Sequence, residues 1–143
     1  MIETLYALHK PKLMLRKHDM TTKDKKFYSR SSVWIVDENN NVVFGFGRFR
    51  ILKAIQRHGS IQGAAKELKI GYRAIWARIK ATEERLGEKL LIKTIGGPTG
   101  GGSQLTPLAE TLLEQFQKLQ KHVEKETDKT IERLLGTHLT LNK

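Results

Sequence analysis

The sequence predicts a mainly α-helical fold with a small amount of β structure, from three observations. Two short stretches with apolar residues at helical spacing lie between Gly59 and Gly87, joined by a tight turn at Ile70–Gly71. Two strand-like runs, EKLLIKT and LTP, then surround a glycine-rich tip, IGGPTGGGSQ. A long stretch with apolar residues on one helical face follows. This order predicts a winged helix-turn-helix with an N-terminal β-hairpin and a long C-terminal helix.

The chain divides into three parts. Residues 1–30 carry 8 basic and 3 acidic groups and have no sustained periodicity, which predicts a basic, flexible tail. Residues 31–106 are expected to form the winged helix-turn-helix domain with its hairpin. Residues 107–143 are expected to form a long dimerisation helix and a C-terminal tail.

The hairpin and the first two helices are predicted from turn and cap residues. Residues 33–44 hold two β-branched or aromatic runs around a five-residue loop, Asp37–Asn41, after which Gly45 and Gly47 should break the strand. The first helix should run over about 48–58 and stop at Gly59. Ser60 is placed to cap the second helix. The inward residues of that helix are expected to be Ile61, Ala64, Ala65 and Leu68.

The third helix should run over about 72–86 and end at Gly87. Its inward positions are predicted to be Ala74 or Ile75, then Ile79, Thr82 and Leu86. The opposite face then presents Tyr72, Arg73, Trp76, Ala77 and Lys80.

These outward side chains suit a DNA duplex. Arginine binds guanine edges, lysine neutralises phosphate, and aromatic rings contact thymine methyls or sugars. Because tryptophan is usually well buried, Tyr72 and Trp76 could instead belong to the core, and the sequence leaves both interpretations open.

The wing strands are predicted at 90–94 and 104–106, around a flexible glycine-rich segment, 96–103. A nucleotide-phosphate loop is a weak alternative for this segment, because it lacks a Gly-Lys-Ser/Thr ending. A simple flexible loop is the other. The wing and the start of the second helix supply further candidate DNA contacts: Ser60, Lys93, Thr94, Ser103 and Gln104.

The last helix is predicted from Pro107 to Leu135, with Thr106 as its cap and Gly136 as its end. Its apolar stripe is longer than a compact domain can cover, so the stripe is expected to need a partner. The predicted interface residues are Leu108, Leu112, Phe116, Leu119, Val123 and Ile131.

Charge and composition narrow the class of function. The formal net charge is +11, and residues 47–106 hold 12 Lys and Arg against 4 Asp and Glu, which indicates a polyanionic partner. With no cysteine, disulfides, thiolate metal sites and a cysteine nucleophile are excluded.

The remaining polar residues show no pattern typical of a metal site or a catalytic site. The five histidines lack metal-binding spacing, and no nucleophile has a plausible base. The acidic pairs Asp37–Glu38 and Glu83–Glu84 are expected to be solvated. We therefore expect no metal, no cofactor and no catalysis. Since there is neither an 18-residue apolar run nor a secretory core, a cytoplasmic protein is expected.

The run SIQGAAKELKIGYRAIWARIKATEERLGEKLLIKT, followed by LTPLAETLL, resembles the N-terminal winged helix of LysR-type regulators. The run VFGFGRFRILKAI, the Tyr-Arg-Ala-x-Trp run at 72–76 and the wing GGPTGGGSQLT are similar to the DNA-binding domain of ModE-type molybdate-dependent regulators. This resemblance, over about 33–135, implies a dimer held by the last helix. It also implies recognition by Tyr72, Arg73, Trp76 and Lys80. Gly71 stands where that family often has serine or threonine, and the family's molybdate-binding β-barrels have no counterpart in this sequence.

We therefore expect a sequence-specific transcriptional regulator that binds double-stranded DNA as a homodimer and lacks its own effector domain. Two alternatives stay open. One is a nucleoid-type protein that coats DNA without sequence preference. The other is a winged-helix protein that pairs with a full-length regulator.

Overall fold

A computed structural model describes residues 25–98 and 100–142, so most of the predicted N-terminal tail lies outside the described residues. The fold is mainly helical with two separate two-stranded antiparallel sheets, which confirms the predicted class. The elements in chain order are β1 (Trp34–Val36), β2 (Val42–Gly45), α1 (Phe46–His58), α2 (Ile61–Leu68), α3 (Tyr72–Leu86), β3 (Leu91–Gly97), β4 (Gly100–Leu105) and α4 (Pro107–Leu135).

The N-terminal hairpin has the predicted five-residue loop. Asp37 in this loop was expected to be solvated, but it makes hydrogen bonds within the loop. The Asp37 carboxylate accepts hydrogen bonds from the backbone N–H groups of Asn39 and Asn41, at 2.9 and 2.8 Å. These bonds close the loop between β1 and β2. Strand β2 ends at Gly45, as predicted, and helix α1 begins at the next residue, so Gly47 lies inside the helix, which starts two residues before the expected position 48.

The helix-turn-helix boundaries follow from caps. Gly59 ends α1 in the left-handed conformation (φ 67°), and the Ser60 hydroxyl accepts a hydrogen bond of 3.0 Å from the Gly63 N–H, as predicted for an N-cap. Between α2 and α3, the left-handed residue is Lys69 (φ 54°) and not a glycine. Lysine is strained there by about 1–2 kcal/mol relative to its preferred backbone region.

The core lies between the three helices of the helix-turn-helix and the first part of α4. Its fully buried large side chains include Phe44, Ile51, Leu52, Ile55, Ile75 and Leu90. Helix α4 adds Ala109, Leu113 and Phe116. Burial of such aliphatic or aromatic side chains contributes about 1.5–3 kcal/mol each.

Phe116 was predicted at the dimer interface, and the structure corrects this. Its ring lies 5.1 Å from the Phe44 centroid and 5.8 Å from that of Phe49, and its side chain is only 4% exposed. The turn of α4 that contains Phe116 packs onto its own domain, so this ring is not available to a partner.

The inward face of α3 is largely as predicted. Ile75, Ile79 and Thr82 are buried, whereas Leu86 is 36% exposed because it lies in the last turn of the helix, next to Gly87. Glu83 was expected to be solvated and is instead buried. It follows Ile79 by four residues, so it lies on the same helical face.

The wing is a paired hairpin nearly to its tip, not a flexible segment from Gly96 to Ser103. Thr94 pairs with Gly102, and Gly97 pairs with Gly100. The glycines permit this close approach: a Cβ on Gly101 would lie 2.6 Å from the Thr94 carbonyl oxygen.

The base of the wing docks on the end of α1. The Ser103 N–H donates to the Gly59 carbonyl at 2.7 Å, and a Cβ on Gly102 would lie 2.5 Å from that same oxygen. The wing is therefore held against the helix-turn-helix by backbone contact.

Beyond Phe116, no residue of α4 is buried. The N-terminal end of the described chain pairs with the segment that follows α4, at an isolated β-bridge between Phe27 and Leu141. The Ser29 hydroxyl also donates to the Asp128 carboxylate. Among the described helices, none is both long and apolar enough to cross a membrane.

Candidate nucleic-acid interface

Helix α3 turns its aromatic residues outward. Ile75 and Ile79 are 0% and 3% exposed, whereas Tyr72 and Trp76 are 51% and 45% exposed. Arg73 and Ala77 are also exposed. Of the two interpretations that the sequence left open, the structure therefore excludes a core position for both aromatic rings.

The Lys80 ammonium is held in place by two neighbours on α3. Its Nζ lies 5.7 Å from the Trp76 ring centroid and 3.4 Å from Glu83 Oε2. A cation over an indole face is stabilised by the ring quadrupole. Trp76 and Lys80 thus form one exposed unit that combines an aromatic plane with a positive charge.

Glu83 joins α3 to the wing. Its Oε1 accepts hydrogen bonds from the backbone N–H groups of Leu90 (2.9 Å) and Leu91 (3.4 Å), and its Oε2 lies 3.4 Å from Lys89 Nζ. Burial alone would raise the pKa of this carboxyl, but these N–H groups and the Lys89 ammonium together hold the pKa below its usual value. The carboxylate therefore fixes where β3 starts relative to α3.

The hairpin fixes the other side of α3. The Thr82 hydroxyl donates to the Val43 carbonyl at 2.8 Å, and Arg85 Nη1 donates to the Val42 carbonyl at 2.8 Å. Because these carbonyls belong to the edge of β2, α3 is anchored by β2 on one side and by the wing on the other.

A cleft of about 860 Å³ lies between α2, α3 and the wing. Its walls include seven of the predicted DNA contacts, from all three elements, and one further lysine: Ser60, Tyr72, Trp76, Lys80, Lys93, Thr94, Ser103 and Lys66. The fold thus brings together side chains from distant parts of the sequence, since Ser60 at the start of α2 and Ser103 in β4 line the same cleft. We call this the wing cleft.

The predicted wing contacts divide into exposed and occupied groups. Lys93 and Gln104 are exposed. The Thr94 hydroxyl accepts a hydrogen bond of 2.8 Å from the Gly102 N–H. Ser103 lines the wing cleft but is only 9% exposed, so it offers less surface to a partner than Lys93 or Gln104.

Two features of the site were missed from the sequence. Glu83 could have been found, since its spacing from Ile79 places it on the buried face. A cluster of Arg78 and Arg85, on the hairpin side of α3, with Arg48 could not, because Arg48 comes from a different helix, α1. Within the described residues, no group of His, Asp or Glu is arranged to hold a metal ion.

Comparison with known proteins agrees with this geometry. Residues 46–110 match the family described as "Bacterial regulatory helix-turn-helix protein, lysR family". The chain is 32% identical over 109 residues to the "Molybdenum transport protein ModE" of Azotobacter vinelandii, covering 76% of this chain and 39% of that protein. It is 40% identical over 74 residues to the "Transcriptional regulator ModE" of Haemophilus influenzae, covering 52% and 29%.

Among solved structures, the full-length LTTR LysG of Corynebacterium glutamicum is 25% identical with a TM-score of 0.44, covering 62% of this chain and 28% of that one. The chain spans less than two fifths of the length of either curated relative. Both resemblances inferred from the sequence are confirmed by the family match and by the two curated relatives. Residues 46–110 of this chain form a LysR-type helix-turn-helix domain.

Proposed function

We propose that this chain is a transcriptional regulator that binds double-stranded DNA in a sequence-specific manner, with α3 in the major groove. The observation that carries the proposal is the outward face of α3, where Arg73, Trp76 and Lys80 point away from a core sealed by Ile75 and Ile79. A helix with polar and aromatic groups on its free face fits a groove about 12 Å wide.

Each outward residue has a distinct proposed role. Arg73 reads a base edge, since a guanidinium can bind guanine bidentately. Tyr72 and Trp76 contact thymine methyls or sugars. Ala77 leaves room for close approach, and Lys80 neutralises a phosphate next to Trp76. Since DNA is the partner, the proposed site of action is the cytoplasm.

Lys93 and Gln104 on the wing, with Ser60 at the start of α2, are proposed to contact phosphates that border the wing cleft. The Ser60 hydroxyl already accepts the cap bond from Gly63, so its further contact would be made by donating its own proton. Thr94 is proposed to act mainly within the wing, where it supports Gly102.

We propose that the functional unit is a homodimer formed along α4. This helix is about 43 Å long at 1.5 Å per residue, and its part beyond Phe116 has no buried residue. Leu119 and Leu134 are 38% and 62% exposed on this part, and Val123 and Ile131 are half-buried. Leu108 and Leu112 pack partly on their own domain, so their share of the interface would be smaller.

The names of the matched relatives include molybdenum transport, but those proteins extend well beyond the matched region. The proposal therefore concerns DNA binding, dimerisation and regulation.

The decisive experiment is footprinting of the full 143-residue chain on fragments of the genome that encodes it. Discrete protected sites would support sequence-specific regulation. Uniform protection would contradict it in favour of a nucleoid-type protein. No retention on DNA at moderate salt, together with capture of a full-length regulator, would contradict it in favour of a winged-helix partner protein.

A further inference from the structure

Three arginines cluster on the side of α3 that faces the hairpin. Arg78 and Arg85 are about two helical turns apart and lie on the same side of α3. Arg48 lies in the first turn of α1, near enough for the charges of both to lower the pKa of its guanidinium. We call these three residues the arginine flank.

The arginine flank has too few negative partners. Among residues 25–98 and 100–142, its one ion pair joins Arg85 Nε to Asp37 Oδ2 at 3.5 Å. Arg48 Nε is buried and has no hydrogen-bond partner within that same part of the chain. Burial first, and then the nearby charges of Arg78 and Arg85, hold the pKa of the Arg48 guanidinium below its usual value.

Such an arrangement costs stability in the free protein. Like charges that approach each other repel, and a buried guanidinium N–H without an acceptor loses its hydration without compensation. Local conflicts of this kind concentrate at functional sites, where a ligand supplies the missing partner. An anion with several acceptor oxygens is the chemistry that would satisfy these groups.

The position of the flank indicates which anion. At 100° per residue, Arg78 lies about 160° around α3 from Trp76, and it does not line the wing cleft. A helix in the major groove has one sugar–phosphate backbone on each side. With the wing cleft facing one backbone, the arginine flank faces the other.

We propose that Arg48 and Arg78, positioned by Arg85, bind the phosphodiester backbone on the hairpin side of α3, opposite the strand met by the wing. This inference rests on the proposed DNA binding. Arg85 acts as a positioning residue, because its guanidinium is already held by Asp37 and the Val42 carbonyl. Protein contacts to both DNA backbones that border the groove would fix the depth and tilt of α3. Recognition of a base by Arg73 depends on that position.

The test measures how affinity depends on salt, with a labelled random-sequence duplex and the full chain. Wild type is compared with Arg48→Gln and Arg78→Gln, and with Arg133→Gln as a control that removes the same charge from the exposed end of α4. Each flank variant is expected to lower the slope of log affinity against log salt by about 1 and to weaken binding by about tenfold at low salt. The control is expected to keep the wild-type slope.

Thermal unfolding of the free protein separates a phosphate contact from a structural role. Arg48→Gln removes a half-buried, repelled charge whose Nε has no acceptor, so its midpoint is expected to equal or exceed that of wild type while DNA binding weakens. A lowered midpoint for Arg48→Gln, with an unchanged slope for the exposed Arg78→Gln, would assign the flank a structural role and overturn the inference.

The same titrations distinguish this inference from the proposed function. If wild type binds the duplex and both flank variants retain its salt slope, the arginine flank is not a backbone contact, whereas DNA binding stands. If wild type itself does not bind any duplex, the proposed function fails and the inference fails with it.

Discussion

The carboxylate of Glu83 accepts a 2.9 Å hydrogen bond from the backbone N–H of Leu90, so the last turn of α3 and the start of the wing share one buried polar contact. This bond links the two elements that are proposed to meet the same duplex. Their relative position is therefore set inside the protein before any DNA is bound.

We expect Glu83→Gln to destabilise the fold by about 1–3 kcal/mol, because an amide replaces a charged acceptor of two backbone N–H groups. Urea denaturation measures the loss. Its neighbour Glu84 is exposed, so Glu84→Gln is a matched control and should change stability by less than about 0.5 kcal/mol. Equal stabilities of the two variants would remove Glu83 from the set of anchoring residues.

The same carboxyl predicts a pH dependence. Its folded-state pKa is lowered, so its stabilising contribution is complete above the unfolded value near 4.3 and is lost as the pH falls through the folded pKa. Between about pH 5 and pH 3, the unfolding free energy of wild type should therefore decrease more steeply than that of Glu83→Gln. Parallel curves for the two proteins would contradict this assignment.

Arg73 and Lys93 should differ in what they contribute to DNA binding. Arg73→Ala is expected to reduce the discrimination between a footprinted site and a random duplex by about 1–3 kcal/mol, since a base contact is lost. Lys93→Ala should weaken both complexes alike, since a phosphate contact carries no sequence information. Fluorescence anisotropy with both duplexes measures this, and equal losses for Arg73→Ala would exclude it from base reading.

The dimer prediction uses exposed positions of α4. Replacing Leu119 and Leu134 together by Asp should give monomers in sedimentation velocity and weaker DNA binding, while the fold is retained because neither side chain is buried. The control pair, Thr111→Asp with Gln117→Asp, adds the same charge at exposed positions off the stripe and should stay dimeric. Phe116→Asp, in contrast, should unfold the domain, because it places a charge beside Phe44 and Phe49. A Leu119/Leu134 variant that stays dimeric would show that α4 pairs through another face.

The base of the wing should not tolerate a side chain at Gly102. Its Cβ would lie 2.5 Å from the Gly59 carbonyl oxygen, so Gly102→Ala should lower the thermal midpoint and weaken DNA binding by displacing the wing. Gly97 has open space around it, and Gly97→Ala serves as the control that should leave the midpoint unchanged. Identical midpoints in both variants would mean that the wing is not seated on α1.

The sequence was sufficient for the elements that depend on local signals. The caps at Ser60 and Thr106, the stops at Gly59 and Gly87, and the alternation of Ile75 and Ile79 all act within a few residues, so they predicted the helices closely. The exposure of Trp76 could not be predicted from such local signals. Its exposure depends on how much core the other helices already fill, which only the assembled packing decides.

Errors arose where distant parts of the chain meet. Phe116 belongs to a helical stripe, but the rings of Phe44 and Phe49 cover it, and nothing near position 116 indicates this. The glycine-rich segment was predicted to be flexible because glycine favours turns. In the structure, the same lack of a Cβ lets two strands approach closely enough to pair.

The pairing of the wing down to Gly97 and Gly100 has an energetic consequence for association. A disordered loop loses about 1–2 kcal/mol of conformational entropy for each residue that a ligand immobilises. In this protein the wing strands are already ordered by their pairing, so most of that entropy is lost during folding and not on binding. A duplex would therefore bind a preorganised wing, and more of the contact energy would remain as affinity.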